Sequence, residues 1–337
     1  MNGVHALGSA GDGGAETYFT ALVAALGQAA AIRAHPGREA ALAAARVHTA
    51  VLPFGGPLDL LTRPRLAAFG RAQEARVLTA WMNRAARHSP RGPWARIGRL
   101  GGYYPLKNYR GFDALVANTA DIQAWIVRQG WPAAHVHHIP NFAEPGPAPA
   151  EPRAANDTPE HVPLLLGLGR LHPAKAHDVT LQALVRLPAA HLWIAGSGPL
   201  EVELRALADR LGVASRVRWL GWREDVSALY RAADLCLFPS RYEPLGNVVI
   251  QAWAHGLPVV AAASAGPAAL IRDREDGRLV PVDDPESLAA AAAALLADPA
   301  GRGALAEAGR ARAAAGFSRA AVVERWRALF HQYGRDR

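Results

Sequence analysis

Segments with strand-like and helix-like patterns alternate from end to end of this 337-residue chain. Short apolar runs, typical of buried strands, are each followed by a longer run in which apolar residues recur at helical spacing. A repeating order of strand and helix builds parallel sheets with crossover helices. Because the chain is long enough for two hydrophobic cores, the predicted class is α/β with two Rossmann-like domains.

The pattern predicts individual elements in both halves. In the first half we expect strands at 4–7, 30–33, 47–52, 76–79, 97–100 and 114–118, and a helix at 16–26. In the second half we expect strands at 164–168, 191–195, 217–220, 235–238 and 257–261, and helices at 178–185, 200–211, 226–232 and 247–255. Ligands of such folds bind where the parallel strands end, so a cleft between the two domains is expected.

A proline-rich segment with almost no large apolar residue separates the two halves, as is typical of a linker. It predicts a first domain over 1–141, a linker over 142–160 and a second domain over 161–319. The tail, 320–337, is predicted to be an amphipathic helix that packs toward the first domain.

The composition favours an intracellular protein. The single cysteine, Cys236, lies in an apolar run and is expected to be a buried strand residue, which leaves no disulfide framework. We expect a cytoplasmic location, since no charged leader with a long apolar core precedes the first strand. The uncharged runs 17–32 and 258–271 contain polar residues, glycine or proline and are too short to span a membrane.

The net charge of +8 is unevenly distributed. Residues 1–141 contain 15 Lys and Arg against 7 Asp and Glu, whereas residues 142–337 contain 22 of each. A basic first domain could meet an anionic membrane surface, or it could be a solvated face in a chain with 35 arginines and 2 lysines. Nucleic acid is not indicated, because no recognised binding module is present.

The segment RYEPLGNVVIQAWAHGLPVVA, 241–261, combines features of an anion site and a hydroxyl site. A strand ends in an acidic turn, and Gly246 precedes a helix whose first amides, 247–249, are expected to lack intrahelical partners and so to suit a phosphate. Glu243 lies at the same turn, and Gln251 follows about two helical turns later. Phosphate and hydroxyl recognition together suggest a nucleotide sugar. The alternative is an ordinary strand, loop and helix with a solvated glutamate.

Three other turns share this pattern of a strand end followed by small or basic residues. After the strand at 164–168 come Arg170 and Lys175, which could bind a diphosphate as a bidentate group and a point charge, or could be surface cations. Gly196 and Gly198 follow the next strand, and Gly221 ends the one after, where backbone groups could contact a base.

A fourth glycine-rich turn, GSAGDGGAET, follows the first strand and opens a helix. Its glycines, Gly11, Gly13 and Gly14, would let the backbone approach a bound group. The spacing is not GxGxxG, and no acidic residue follows a second strand at the expected distance. A dinucleotide-dependent dehydrogenase is therefore disfavoured.

The motifs GRLHPAK, WIAGSGPL, LGW and EPLGNVVIQAWAHGLPVVA, in this order and spacing, closely resemble the retaining GT-B glycosyltransferases of family 4, the glycosyl transferases group 1. GDGGAE and IPNF, near Asn141, resemble that family's first glycine loop and interdomain crossing. The resemblance covers nearly the whole chain and is greatest to bacterial members that build lipopolysaccharide core or other surface glycans.

The resemblance implies a GT-B fold, a nucleotide-diphosphate sugar as donor, a saccharide or lipid-linked acceptor, retention of anomeric configuration, and neither metal nor cofactor. It places Arg170 and Lys175 on the diphosphate and Glu243 on the donor-sugar hydroxyls. The implied donor-binding residues are Gly13, Gly14, Gly169, Gly196, Gly198, Gly221, Pro244, Leu245, Gly246, Asn247, Val248 and Gln251.

The chain departs from the family pattern at two points. Gln251 stands where the family usually has a second glutamate that holds the ribose, and 100–102 is Leu-Gly-Gly where many members have a histidine. We expect the amide still to bind hydroxyls, with changed strength. Residues expected to be either structural or acceptor-facing are Asn83, His88, Tyr103, Tyr104 and Lys107. The alternatives are a nucleotide-sugar 2-epimerase of the same architecture and an inactive nucleotide-sugar-binding homologue.

Overall fold

The computed structural model describes residues 1–11, 13–56, 58–223 and 225–335. The chain forms two compact units, each built on its own parallel sheet. The first unit contains Met1–Phe142 and Arg319–Arg337, and the second contains Ala143–Ser318. The predicted α/β class is confirmed.

The first unit has a seven-stranded parallel sheet. Its strands are β1 Gly3–Leu7, β2 Ala29–Ile32, β3 Thr49–Val51, β4 Val77–Trp81, β5 Ala95–Leu100, β6 Ala114–Ala117 and β7 Val136–His138. Its helices are α1 Gly14–Leu26, α2 Pro36–Ala44, α3 Thr62–Ala72, α4 Met82–His88, α5 Ala120–Arg128 and, numbered in chain order, α13 Arg319–Gly334. The strand order is β3-β2-β1-β4-β5-β6-β7.

The second unit has a six-stranded parallel sheet. Its strands are β8 Leu164–Leu168, β9 His191–Ala195, β10 Val217–Gly221, β11 Leu235–Phe238, β12 Val259–Ala262 and β13 Arg278–Val280. Its helices are α6 His177–Val185, α7 Glu201–Arg210, α8 Val226–Ala232, α9 Asn247–Ala254, α10 Ala265–Leu270, α11 Pro285–Ala297 and α12 Pro299–Gly316. The strand order is β10-β9-β8-β11-β12-β13.

Both sheets are covered by apolar side chains on their two faces, which is why their strands read as nearly continuous hydrophobic runs. In β8, Leu164 and Leu166 pack into one core cluster while Leu165 packs into the cluster on the opposite face. Cys236, in β11, is fully buried, and its burial raises the pKa of the thiol to about 12. The predicted role of Cys236 as a buried strand residue is confirmed.

Each sheet has a topological switch point, where the direction of the strand order reverses. In the first sheet β1 lies beside β4, and in the second sheet β8 lies beside β11. At such a point the loops that follow the two strands diverge, leaving a crevice at the carboxyl ends in which ligands bind. The fold therefore singles out one loop pair in each unit.

Residues 143–160, predicted as part of a linker, are attached to the second unit. The backbone amide of Gly146 donates to the Ser227 hydroxyl at 2.8 Å. Trp193 donates its indole N–H to the hydroxyl of Thr158 at 2.9 Å, and Glu151 binds Arg223 at 2.6 Å. Hydrogen bonds attach this segment to the second unit. Its sequence has few large apolar residues, so no apolar pattern predicts that it packs there.

The helix α13 completes the first unit. Its residues Val322, Trp326 and Phe330 are buried, and the ring of Trp326 stacks on Trp81 with centroids 6.3 Å apart. Among the described residues, every helix is too short or too polar to cross a bilayer.

Candidate active site

The switch point of the second sheet is formed by the loop after β8 and the loop after β11. The first loop contains Arg170 and Lys175, and the second contains Glu243. The amides of Arg241 and Tyr242 both donate to the carbonyl of Ala174, at 3.0 and 3.3 Å. Backbone hydrogen bonds therefore join the two loops and bring together the residues that the sequence predicts to act together.

Glycines allow the loop after β9 to approach the loop after β8. Gly196 has a φ of +149°, and a Cβ there would lie 2.0 Å from the carbonyl oxygen of Gly169. A Cβ at Gly198 would lie 2.5 Å from the carbonyl oxygen of Leu171. Gly169 itself has a φ of +140° and packs against the aliphatic part of Lys175. The predicted donor-binding glycines are thus required by the backbone packing of this site.

Lys175 and Glu243 form an ion pair in which the ammonium Nζ donates to Oε2. The other carboxylate oxygen, Oε1, accepts the backbone amide of Gly246 at 3.1 Å. Lys175 also lies over the ring of Phe238, with Nζ 5.4 Å from the centroid. Both side chains are largely buried, with 21% and 13% of their area exposed. They are held in place and still reachable from solvent.

Arg241 holds the loops that carry Lys175 and Glu243 together. Its guanidinium binds both carboxylate oxygens of Asp178, at 2.9 and 2.6 Å, and it also binds Asp283 at 2.5 Å. A further N–H donates to the carbonyl of Pro173 at 3.0 Å. The hydrogen bond with Asp178 is the main reason that the pKa of Arg241 is raised. Arg241 therefore ties the acidic turn to the loop that carries Lys175.

Arg170 differs from Lys175 in its surroundings. Its side chain is exposed, and its guanidinium has no hydrogen-bond or ion-pair partner among the residues that the structure describes. The backbone nitrogen of Arg170 lies at ordinary van der Waals distance, 3.5 Å, from the position that a Cβ at Gly196 would take. The backbone is thus packed at the switch point while the charge is available to a ligand.

The start of α9 partly corrects the prediction that the amides of 247–249 lack partners. Gly246 precedes the helix with a φ of +91°, and the amide of Val249 donates to the Gly246 carbonyl at 3.0 Å. The amide of Val248 has no acceptor among the described residues. The amide of Val249, one of the donors expected to be available to a phosphate, is therefore used within the turn that begins the helix. Leu245 and Gly246 are buried, while Pro244 and Asn247 are half-buried.

Gln251 is oriented by a neighbour that the sequence does not reveal. The hydroxyl of Tyr230 donates to Oε1 of Gln251 at 3.1 Å. The ring of Tyr230 stacks on His255 at 4.8 Å, and His255 is in turn bonded to the hydroxyl of Ser227 at 2.9 Å. Burial raises the pKa of Tyr230 well above its usual value, so it remains a donor. One acceptor position of the Gln251 amide is therefore occupied.

The remaining predicted donor-binding residues lie in two places. Gly221 ends β10 with a φ of +64°, and its carbonyl accepts the amide of Gly196 at 2.7 Å. Gly13 and Gly14 are in the first unit, where Gly13 caps α1 in an extended conformation and Gly14 is its first residue. Neither residue needs the left-handed region. Arg38, which the sequence analysis did not single out, donates to the carbonyls of Ser9 and Gly11 and so holds this loop.

The switch point of the first sheet opens a cavity of about 270 Å³. Of the five acceptor candidates, Asn83 and Tyr104 line it. His88 is buried elsewhere, with Nε2 3.2 Å from the carbonyl of Gly55. Tyr103 donates its hydroxyl to Asp121, and Lys107 is exposed on a 3-10 turn. The structure thus brings together two of the candidates and not the other three.

Comparison with known proteins identifies the family. A model of the glycosyl transferases group 1 matches residues 162–298, which contain the switch point of the second sheet. Over 327 residues, 93% of this chain and 94% of the relative, the chain is 36% identical to the lipopolysaccharide core biosynthesis glycosyltransferase LpsE of Rhizobium meliloti. It belongs to the glycosyl transferases group 1. A second relative from that organism, the lipopolysaccharide core biosynthesis glycosyltransferase LpsD, is 33% identical over 95% of each chain.

Solved structures place this group 1 glycosyltransferase in the GT-B fold. The chain superposes on Anabaena Alr3699/HepE, crystallised with UDP, with a TM-score of 0.86, 20% identity, and coverage of 98% of this chain and 100% of the other. It also superposes on a glycosyltransferase from Rickettsia africae, with a TM-score of 0.85, 16% identity, and 98% of each chain covered. The predicted GT-B fold is confirmed.

Two supporting residues of this glycosyltransferase escape sequence reasoning. Arg241 opens the acidic motif, but its partners Asp178 and Asp283 are 63 and 42 positions away. Tyr230 lies on α8 and meets Gln251 of α9 only because both helices pack near β11. No spacing rule connects such pairs. Among the described residues, no three histidine, cysteine, aspartate or glutamate side chains cluster as a metal site would.

Proposed function

We propose that this glycosyltransferase moves a sugar from a nucleotide-diphosphate donor to a saccharide or lipid-linked acceptor, with retention of configuration, in lipopolysaccharide or other surface-polysaccharide synthesis. The observation that carries the donor assignment is the Lys175–Glu243 pair beside the Val248 amide at the switch point. The names of the two Rhizobium relatives and the UDP bound to the Anabaena protein support the substrate class.

In this proposal Lys175 and Arg170 neutralise the diphosphate. An ammonium has three donors, so Lys175 can bind a phosphate oxygen while it keeps its bond to Glu243. Arg170, which is exposed and has no side-chain partner among the described residues, supplies a second, bidentate cation. The two charges would stabilise the negative charge that develops on the leaving diphosphate. The proposal includes neither a metal nor a cofactor, since the nucleotide sugar is a co-substrate.

Glu243 is assigned to orienting the donor sugar. One of its oxygens accepts from Lys175 and the other accepts from the Gly246 amide, but each carboxylate oxygen has two lone pairs. The remaining lone pairs can accept sugar hydroxyls. A carboxylate restrained in this way suits hydroxyl recognition better than attack on the anomeric carbon.

Retention then follows from attack on the face that the diphosphate leaves. The acceptor oxygen forms a bond to the anomeric carbon as the bond from that carbon to the phosphate oxygen breaks. The acceptor proton passes to the leaving phosphate oxygen, so the charge balances without a protein nucleophile. Lys175 would hold the phosphate at the position where it can take that proton.

We further propose that the protein works at the cytoplasmic face of the membrane. The supporting observation is the basic balance of residues 1–141, with 15 Lys and Arg against 7 Asp and Glu. Anionic lipid attracts such a surface and would concentrate the enzyme near a lipid-linked acceptor. Failure to sediment with phosphatidylglycerol vesicles at low salt would contradict this part of the proposal.

The donor assignment is tested with Arg170→Ala, Lys175→Ala and the control Arg210→Ala, an exposed arginine on α7 of the same unit. UDP-, GDP- and ADP-sugars are first screened by thermal stabilisation of the wild type. A ligand at a hundred times its dissociation constant adds about 2.7 kcal/mol of stability. Arg170→Ala and Lys175→Ala should lose this shift and lose transfer, whereas Arg210→Ala should keep both. Transfer that survives both changes would overturn the assignment.

The 2-epimerase alternative gives a different product. Incubation with the stabilising nucleotide sugar and no acceptor, followed by NMR of the sugar, would show an epimer if the protein were an isomerase. The proposed transferase should yield only the unchanged donor and slowly hydrolysed sugar.

A further inference from the structure

The cavity of the first unit has a basic lining. Arg33 follows β2 and Arg84 lies in the first turn of α4, and both line the cavity at the carboxyl ends of β1 and β4. No aspartate or glutamate is among its described lining residues. Glu16, in the first turn of α1, is bonded to the hydroxyl of Ser9 at 2.6 Å.

The two guanidinium groups retain free donors. The Arg33 side chain has no hydrogen-bond or ion-pair partner among the described residues, while its backbone amide is fixed to the Leu7 carbonyl at 3.0 Å. Arg84 donates one N–H group to the carbonyl of Phe54 at 3.1 Å. Its aliphatic stem packs on Gly8, where a Cβ would lie 2.9 Å from Cγ. Arg84 is therefore positioned by its neighbours without a counter-charge.

The same cavity has an unmet acceptor and an aromatic wall. Oδ1 of Asn83 is buried without a hydrogen-bond partner among the described residues, a costly state that a ligand hydroxyl would relieve. Tyr104, which is half-buried, supplies an aromatic wall. Met82, next to Asn83, has a φ of +59°, a strained conformation of the kind found where surrounding structure serves a binding site.

We propose that this cavity binds an acceptor saccharide through an anionic substituent, either a phosphate ester or a carboxylate. The anion lies between Arg33 and Arg84, a hydroxyl of the same sugar donates to Asn83, and the ring packs on Tyr104. The proposal rests on the proposed glycosyltransfer function, since it names the acceptor chemistry of that reaction. It assigns specificity to Arg33 and Arg84, which no sequence motif marks.

Calorimetric titration without any donor tests the cavity directly. Glucose 6-phosphate, glucuronate and glucose serve as probes that share a ring and differ in charge. We expect the wild type to bind at least one anionic probe about tenfold or more tightly than glucose, with the advantage falling as salt is raised. The anionic probe that binds more tightly shows whether the substituent is a phosphate ester or a carboxylate. Equal binding of all three probes, or none, would overturn the proposal.

Substitutions of the two arginines test whether they cause the preference for anionic probes. Arg33→Gln and Arg84→Gln should each remove most of the anion preference, and Arg33→Lys should restore part of it by keeping the charge. Arg128→Gln, at the exposed end of α5, is the matched control and should bind as the wild type does. An anion preference that persists in Arg33→Gln and Arg84→Gln would also overturn the proposal.

Stabilisation by the nucleotide sugar separates this proposal from the donor proposal. Arg33→Gln and Arg84→Gln should keep the thermal shift with the donor, which also shows that they are folded. A wild type that binds the anionic probes but no nucleotide sugar would leave the cavity assigned and the proposed function wrong. The reverse result would contradict only the cavity.

Discussion

Arg241 donates two hydrogen bonds, of 2.9 and 2.6 Å, to the carboxylate of Asp178, although the two residues are 63 positions apart in the chain. The pair ties the loop after β11 to the start of α6 and so holds Glu243 against Lys175. Since both side chains are about a third exposed, solvent screens the pair and its contribution to stability is modest. Its main consequence is the geometry of the site.

Replacing Arg241 tests that consequence. Arg241→Ala should lower the free energy of unfolding by only about 1 kcal/mol, because the bridge is partly exposed. It should weaken donor binding by about tenfold or more, because the acidic turn loses its attachment to the loop of Lys175. Urea unfolding and donor titration measure the two effects. Arg186→Ala, which breaks an exposed pair with Glu286, is the control and should change neither; equal donor affinity in both variants would refute the positioning role.

Gly196 should tolerate no side chain. A Cβ there would lie 2.0 Å from a backbone carbonyl, and its φ of +149° disfavours any other residue. We expect Gly196→Ala to destabilise the protein by about 2 kcal/mol or more. Gly212→Ala is the control, because Gly212 also has a positive φ, +69°, but open space around its Cβ position. A similar loss in thermal unfolding for both variants would show that the close approach of the loops is unimportant.

Gln251→Glu should strengthen donor binding. The hydroxyl of Tyr230 occupies Oε1 of Gln251, whereas a carboxylate would keep that bond and offer a second acceptor oxygen to ribose. We expect the variant to bind the nucleotide sugar roughly tenfold more tightly, as charged acceptors form stronger hydrogen bonds. Gln251→Met, which keeps the size without polar atoms, should bind more weakly than the wild type. If only Gln251→Glu catalyses transfer, the wild type is an inactive homologue.

Stability should fall as the pH drops from about 6.5 to 4. Burial lowers the pKa of His5 and of His177 to about 4, while both titrate near 6.5 when unfolded. The unfolded chain therefore takes up protons in this window before the folded chain does, which favours unfolding. In addition, Nδ1 of His5 accepts the Trp81 indole N–H at 3.1 Å and is not free for a proton.

Urea unfolding at pH 7.0, 6.0 and 5.0 measures this loss, which amounts to about 2 kcal/mol for each buried histidine by pH 5.0. His5→Phe and His177→Phe should each flatten the pH dependence even if they lower stability at pH 7. His331→Gln, at an exposed position of α13, should leave the dependence unchanged. If the pH dependence of the free energy of unfolding is the same in His5→Phe and His177→Phe as in the wild type, other groups cause it.

Most of the strands and the helices α1 and α6 to α9 were predicted from the sequence, because each of these elements depends on residues close in the chain. Apolar runs locate β8, β9 and β11, and the helix predicted at 247–255 corresponds to α9. The strands β7 and β13 were not predicted, since each has only three residues and includes histidine or arginine. The helices α2 to α5, α10 and α12 were not predicted either. The segment 143–160 reads as a linker because its anchoring is by hydrogen bonds, which leave no apolar pattern.

The sequence by itself determined the α/β class, the two sheets and the turns that carry Lys175, Glu243 and the glycines, because strand ends and helix starts are set by local chemistry. Only the tertiary structure decided which groups meet. Strand order places β8 beside β11 and thereby joins Lys175 to Glu243 and Arg241 to Asp178. It likewise places Arg33 and Arg84 around one cavity. Such pairings depend on sheet topology and crossover connections, which act over dozens of residues and leave no periodic signal in the chain.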